Sequence, residues 1–493
     1  MTPQDIMTPQ VSRRGFLAAS ATLAATSALP RFAFAGAAPL ALTATTRTIE
    51  VDGRAATVYG LLNAAGKSGL ILDPGERFRV DLTNALDVET LVHWHGQIPP
   101  NAQDGVPDMP MPKLRPGESR AYDFAPEAGT YWMHSHIAVQ EMRMLAAPLI
   151  VRSAADVKAD RQDVTMFLHD FSFKTSEEVL AEITGGAVGS DGMTAMGNTS
   201  GGMGQMSGMS GMGDMPGMSG MAMDLNDYNF DAYLANDRTL SDPEVVRIEK
   251  GGRIRLRVVN AAAATTFWIA TGVLPGRLVA VDGRDVLPIA GSRFGVSMAQ
   301  RLDIELDLPA GDGSYPILAH REGARERTGL ILASAGAKMQ KIAGLAETEA
   351  PAFDMDLAQE SRLRAANPLA ARPVDQTEMV MLSGAMQPYV WTIDGQTWEH
   401  HIPVTARSGQ RVELTFHNMS MMAHPMHLHG HAFQVVAIGG QRFAGALRDT
   451  VLVPPMAAVT VALDAGDAAR WMLHCHHIPH MASGMMTEFA VSV

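Results

Sequence analysis

One ten-residue pattern occurs three times in this chain and constrains its fold more than any other feature. Gly75-Glu-Arg-Phe-Arg-Val-Asp-Leu-Thr-Asn84 returns as Gly251-Gly-Arg-Ile-Arg-Leu-Arg-Val-Val-Asn260 and as Gly409-Gln-Arg-Val-Glu-Leu-Thr-Phe-His-Asn418. Each copy opens on a turn glycine, alternates as a half-buried strand does and ends on asparagine. Copies about 160 to 180 residues apart indicate three homologous units rather than a short-period solenoid. The 493 residues are too many for one core and comfortable for three. Alternating strands, frequent Gly and Pro and few helical stretches point to an all-β chain of consecutive β-sandwiches. The expected units are 36–155, 156–340 and 373–493, with 341–372 as a linker lacking strand alternation.

A second repeated stretch closes each unit: Tyr131-Trp-Met-His134-Ser135-His136, Tyr315-Pro-Ile-Leu318-Ala319-His320 and Trp471-Met-Leu-His474-Cys475-His476. The middle copy lacks the first histidine, so that unit is expected to hold no metal, and His320 reads as a packed or surface residue. Only the third copy carries a thiol, and Cys475 is the single cysteine of the chain. Cys475, His480 five residues on and Met485 ten residues on supply most of a trigonal Cys and His set with a weak axial Met, which suits an electron-transfer copper. The missing second imidazole must come from elsewhere. A zinc site or a chance cluster is the alternative, but structural zinc closes with four tetrahedral ligands, commonly cysteine pairs. If 471–476 is a strand, His474 and His476 face away from Cys475, so one strand touches two metal sites.

The first 35 residues read as an export signal. Ser12-Arg13-Arg14-Gly15-Phe16-Leu17 is a twin-arginine signature, followed by an apolar run to Leu29 and a small-x-small site at Ala33-Phe34-Ala35. The run is too short to span a bilayer comfortably, so no stable membrane insertion is expected. The implied partner is the twin-arginine export machinery and the implied location the periplasm. An exported chain with one cysteine has no internal disulfide, which reserves the thiol for chemistry. A net charge of −13 does not invite nucleic acid or an anionic membrane.

Between Gly185 and Met223 the sequence cannot build a core. Met203, Met206, Met209, Met212, Met215, Met218 and Met221 fall at three-residue spacing among Gly and Ser. A low-complexity linker is the bland reading. Thioethers are also specific soft ligands for Cu(I), which makes these methionines candidate substrate sites.

Four histidine clusters remain: His93-Trp94-His95-Gly96, His134-Ser135-His136, His424-Pro425-Met426-His427-Leu428-His429, and His474-Cys475-His476 with His480. Two lie in the first unit and two in the third, so they meet only if the terminal units pack together. In motif, order and spacing the chain resembles the multicopper oxidases, most closely the exported three-domain copper-resistance and copper-efflux oxidases of bacteria. The resemblance implies three cupredoxin-like Greek-key domains and four copper ions: a type 1 copper in the last domain and a trinuclear cluster between the first and third. Carried over by position, His424, Cys475 and His480 match the equatorial type 1 ligands with Met485 axial. His93 and His427 match the type 2 ligands, and His95, His134, His136, His429, His474 and His476 match the type 3 pair. Asp104, in Asp104-Gly105-Val106-Pro107, matches an acid that assists proton delivery; its alternative is a turn aspartate before glycine. Where laccase-like members carry an acid after the second type 1 histidine, this chain has Met481, a candidate lining for a Cu(I) route. His169, His400, His401, His417, His431 and His477 are left to surface, packing or support of the ligands.

The resemblance implies one-electron oxidation of a reductant coupled to four-electron reduction of O2 to water. The leading expectation is Cu(I) as reductant, in the service of copper tolerance. A laccase acting on phenols, aromatic amines or siderophores uses the same sites, and a copper-sequestering protein is the rival outside catalysis.

Overall fold

The computed structural model describes residues 38–186, 225–353 and 357–493. Three pairs of facing sheets follow one another along the chain. The first pair runs Arg54–Asn63, Leu40–Val51, Phe78–Asn84, Ser119–Phe124 against Leu70–Leu72, Ala146–Val151, Gly129–Ser135, Val92–His95. The middle pair has six and five strands, the last seven and five. Each recurring pattern lies on a strand that pairs in parallel with the opening strand of its unit: Phe78–Asn84 with Leu40–Val51, Arg253–Asn260 with Gln162–Phe171, and Arg411–Asn418 with Gln376–Met386. The second sheet of each unit also carries one parallel pair, closed by the unit's last strand. Three copies of this arrangement make three Greek-key β-sandwiches of the cupredoxin type.

The recurring residues have a physical reason. Gly75, Gly251 and Gly409 all turn at positive φ (84°, 68° and 82°), where a Cβ is disfavoured. The closing asparagines are fully buried and clasp the following loop. Asn84 donates to the carbonyls of Val88 and Leu114, Asn260 to Thr265 and Val296, and Asn418 to Met422, Val453 and Pro454. Each also accepts from a backbone N–H two residues on. A buried loop needs such internal partners for its backbone polar groups.

The middle unit holds the outer two in place. Arg301, fully buried, donates to the Thr130 carbonyl of the first unit (3.2 Å), to its own unit's Ala299 carbonyl (3.0 Å) and in a fork to Asp449 of the third. Three short helices, one from each unit, pack against one another: Ala138–Met142, Ser176–Thr184 and Ile478–Ala482. The second is closed by a capping box of Thr175 and Glu178 and ends at Gly185 in the left-handed region. The third hangs on the middle unit through the Ile478 N–H to Ala263 carbonyl bond of 2.9 Å. The stretch expected as a linker contains a helical turn, Ala358–Arg362, and is packed down: Phe353 and Leu357 enter the third core and Leu363 the second.

Candidate metal centre

Two groups of buried candidate ligands meet at one sheet of the third unit, one on each face. Strands His424–Leu428 and Arg470–Cys475 are antiparallel neighbours with Met426 opposite Cys475 and His427 opposite His474. Alternation therefore sends Cys475 to one face and His474 to the other, as the sequence suggests. On the first face, Cys475 Sγ is 3.7 Å from both His424 Nδ1 and His480 Nδ1, which are 3.1 Å apart. The helix Ile478–Ala482 brings His480 into place, and Met485 is fully buried in the same core, its carbonyl accepting from the Cys475 N–H (3.1 Å). Burial pushes the Cys475 thiol well up and the His424 imidazole well down, with His480 and His477 adding to the latter.

On the second face eight histidines from the first and third units come together. In the first unit His93 stands opposite His134, just as His427 stands opposite His474 in the third. His93 lies nearest His429 and His95 nearest His427, each pair with ring centroids 3.8 Å apart. His93 and His427 have ring centroids 5.7 Å apart. His95 and His134 both lie 5.0 Å from His476, and His136 lies 5.1 Å from His429 and 5.0 Å from His474.

The hydrogen bonds settle which nitrogen is bare. A carbonyl or carboxylate can only accept, so the imidazole nitrogen facing it carries the single proton of a neutral ring. His134 Nδ1 faces the Ser135 carbonyl and Glu141 (both 2.9 Å), while His95 Nε2 faces Asp449 (3.1 Å). Their remaining nitrogens, both lone pairs, point at each other across 3.4 Å. His429 Nδ1 donates to Asp104 (2.8 Å) and His474 Nδ1 to the Cys475 carbonyl (2.9 Å), leaving two bare Nε2 atoms 3.2 Å apart. His93 and His427 donate through Nδ1 to the carbonyls of Asp104 and Asp449, and their buried Nε2 atoms have no partner among the described residues. Desolvation and neighbouring imidazoles keep His95, His136, His427, His429 and His476 well below their usual pKa, and burial brings His474 to about 3. Neutral imidazole is the ligand form, and lone pairs converging in a buried space fit metal cations. The thiol with two imidazoles and a thioether fits copper.

Family models described as multicopper oxidase match residues 43–156, 204–336 and 371–493. The multicopper oxidase MmcO of Mycobacterium tuberculosis is 30% identical, with 84% of this chain and 79% of that protein covered. The chain belongs to the multicopper oxidases. Copper resistance protein A of Escherichia coli is 24% identical to this oxidase (85% and 86% covered), and Laccase-1 of Botryotinia fuckeliana also 24% (90% and 80%). Among solved structures, a multi-copper oxidase from Pseudomonas thermotolerans shares the fold with a TM-score of 0.66 at 23% identity, covering 92% of this chain and 98% of that one.

Four functional neighbours carry no motif. Asp449, Glu141 and Arg301 touch histidines or hold what touches them, and Asp227 sits fully buried with Oδ2 3.5 Å from His480 Nε2 and 2.6 Å from the Tyr389 hydroxyl that donates to it. Asp104 reaches both outer units, Oδ2 to His429 and Oδ1 3.4 Å from His93 Nδ1. Met481 does not line an open route. It is buried where the three helices meet, among Val106, Ala138, Leu180, Ile478 and Met486, so its thioether serves packing. His169 and His431 are buried packing residues, and His400 is exposed. The expected signal 1–35 and the methionines from Met203 to Met221 lie outside the described residues. Among the described residues no helix is long and apolar enough to cross a membrane.

Proposed function

We propose that this oxidase takes Cu(I) as its reductant and converts it to Cu(II) for copper tolerance. The observation that carries the reading is where the methionine-bearing stretch is tethered. Its upstream flank, helix Ser176–Thr184, packs on the helix that carries His480. Its downstream flank reaches His480 itself through Asp227. The chain thus leaves the described structure after residue 186 and re-enters it at residue 225 on flanks that both reach the His480 helix, with the methionines in the sequence between. The name copper resistance protein A, borne by several relatives, fits this chemistry.

In this reading the chain holds four coppers. His424, Cys475 and His480 with Met485 hold one, His93 and His427 a second, His95, His134 and His476 a third, and His136, His429 and His474 a fourth. When bound, they supply one-electron acceptance at one site and four-electron reduction of O2 at the other. Four Cu(I) and four protons are consumed per O2, giving four Cu(II) and two water molecules. The peptide from Cys475 to His474 and to His476 is a direct covalent link between the two groups. Asp104 Oδ1, buried 3.4 Å from His93 Nδ1 and without a hydrogen-bond partner among the described residues, is the atom placed to pass protons to this site. The units 36–155, 156–340 and 373–493 are proposed as the three domains, exported folded by the twin-arginine route into the periplasm.

The test is oxygen uptake by the copper-loaded mature protein on anaerobically prepared Cu(I) or on a simple phenol, alongside a deletion of Met193 to Met223. Faster Cu(I) turnover that falls on deletion is the expected result. Faster phenol turnover, indifferent to the deletion, makes the protein a laccase instead. Cys475→Ser is expected to remove both blue absorption and oxygen uptake while leaving methionine-bound Cu(I).

A further inference from the structure

A cleft of about 360 Å³ opens between the first and second units, beside the small apolar cluster that joins them through Val58, Met144 and Phe171. The first unit brings Arg54 from the start of strand Arg54–Asn63 and Arg143 from just after helix Ala138–Met142; the second brings Phe171, Phe173 and Phe230. Three cations line the cleft, Arg54, Arg143 and Lys174, and no carboxylate does, in a chain with 52 acidic residues against 39 basic ones. Lys174 is already answered by Glu182, both of whose oxygens lie 2.7 Å from its Nζ. Neither arginine has a carboxylate partner among the described residues.

The two guanidinium groups are held by rings instead. Arg54 places its own 3.6 Å from the Phe173 ring centroid, and Arg143 lies 4.5 Å from that of Tyr59 while donating to the Tyr59 hydroxyl (3.2 Å). Stacking uses the faces of these planar cations and leaves N–H edges free, the geometry that takes a carboxylate through two parallel bonds. An arginine on a bare surface selects nothing, but these border a concave apolar wall. Phe171 and Phe173 meet edge to face with ring centroids 4.9 Å apart, and Met142, Met144 and Val179 extend the wall. A chloride or phosphate ion leaves that wall wet, whereas an aromatic ring covers it and meets both thioethers and phenyl edges favourably. Ligand pockets run from about 300 to 1,000 Å³, and a space at the low end takes one ring with its acid group rather than a dinucleotide.

We propose that Arg54 and Arg143, backed by Phe171, Phe173 and Phe230, bind a small aromatic monocarboxylate between the first and second units. The carboxylate lies against the guanidinium edges and the ring against the phenylalanines. The cleft shares no residue with either group of candidate copper ligands, so occupation is separable from turnover. Arg143 follows Glu141 by two residues, and the occupant therefore touches the end of the helix that turns Glu141 to His134.

The experiment is calorimetric titration of the copper-loaded enzyme with benzoate, which has no phenolic hydroxyl to be oxidised. One equivalent is expected to bind. Benzamide keeps the ring and loses the charge, acetate keeps the charge and loses the ring, and each should bind about tenfold or more weakly. Arg54→Gln/Arg143→Gln should weaken benzoate by about tenfold or more, with blue absorption reporting that the Cys475 group is intact. Should the double variant fail to fold, Arg54→Gln alone, at an exposed position, carries the test with a smaller expected loss of affinity. Benzoate affinity unchanged by the arginine substitutions overturns the site, because the ligand is then held elsewhere. Acetate bound as tightly as benzoate overturns the aromatic class, benzamide bound as tightly overturns the carboxylate, and no binding of benzoate overturns the whole.

Discussion

Replacing Arg301 by methionine tests how the three units are held. The guanidinium and the Asp449 carboxylate it grips are 0% and 2% exposed. In Arg301→Met, Asp449 keeps the Thr450 hydroxyl (2.9 Å), His95 Nε2 (3.1 Å) and the more distant His427 Nδ1 (3.6 Å), and the Thr130 and Ala299 carbonyls lose a donor. Breaking a buried pair by removing one partner costs about 3–5 kcal/mol, chiefly because a charge is stranded. That loss is expected in urea unfolding of the metal-free protein, read as a difference from the parent because a three-domain chain need not unfold in one step. If the stranded charge is the cause, Arg301→Met/Asp449→Asn recovers a large part of the loss. The copper-loaded variant should keep its blue absorption, since Arg301 touches nothing around Cys475, while oxygen uptake falls because Asp449 orients His95. A loss below about 1 kcal/mol with full oxygen uptake would refute both the structural role and the orientation argument.

Asn418→Ala removes the donor for three buried carbonyls behind His424 and should cost about 2–3 kcal/mol, with weakened blue absorption as the readout. Glu141→Gln, which disturbs the acceptor for His134 Nδ1, should lower copper retention by about 10–100-fold while blue absorption persists, as metal analysis after mild chelation will show. Asp104→Asn should slow O2 turnover by about 10²–10⁴-fold with normal reduction of the blue centre, measured by stopped flow. Glu322 provides a pH test. Burial raises its carboxyl to about 7, partly offset by the Phe353 N–H, so the folded protein binds this proton more tightly than the unfolded chain does. Its contribution is fully present below the unfolded value of about 4.3 and is lost as pH rises towards 7. Glu322→Gln should flatten that decline in urea midpoint; identical slopes for variant and parent would count against it.

The fold was legible because duplication left its marks in local sequence. Gly75, Gly251 and Gly409 answer one turn, and Asn84, Asn260 and Asn418 clasp one loop, so three distant stretches announce one architecture. The candidate ligands stood out because strand alternation and short spacing place His93 with His95, His134 with His136, and the residues around Cys475 within single motifs. Asp227, Asp449, Glu141 and Arg301 were not. Each is one charged residue in an ordinary context; Asp227, Asp449 and Arg301 reach their partners by docking between units, which no local period encodes, and Glu141 reaches His134 from the short helix that follows it. Met481 misled for a related reason: a thioether beside a ligand reads as chemistry until the junction of three helices shows it enclosed by carbon.

The opposition of His93 to His134 and of His427 to His474 bears on how such a protein is made. His93, His95, His134 and His136 of the proposed oxygen-reducing site are synthesised well before His427, His429, His474 and His476. A nascent or truncated polypeptide possesses the first four histidines, on one strand pair, with no second pair to close over them. It holds the group His93, His95 and His134 but cannot complete the eight-histidine centre. Reactive chemistry thus waits on both strand pairs, and synthesis of the second becomes a condition for turnover without any separate checkpoint.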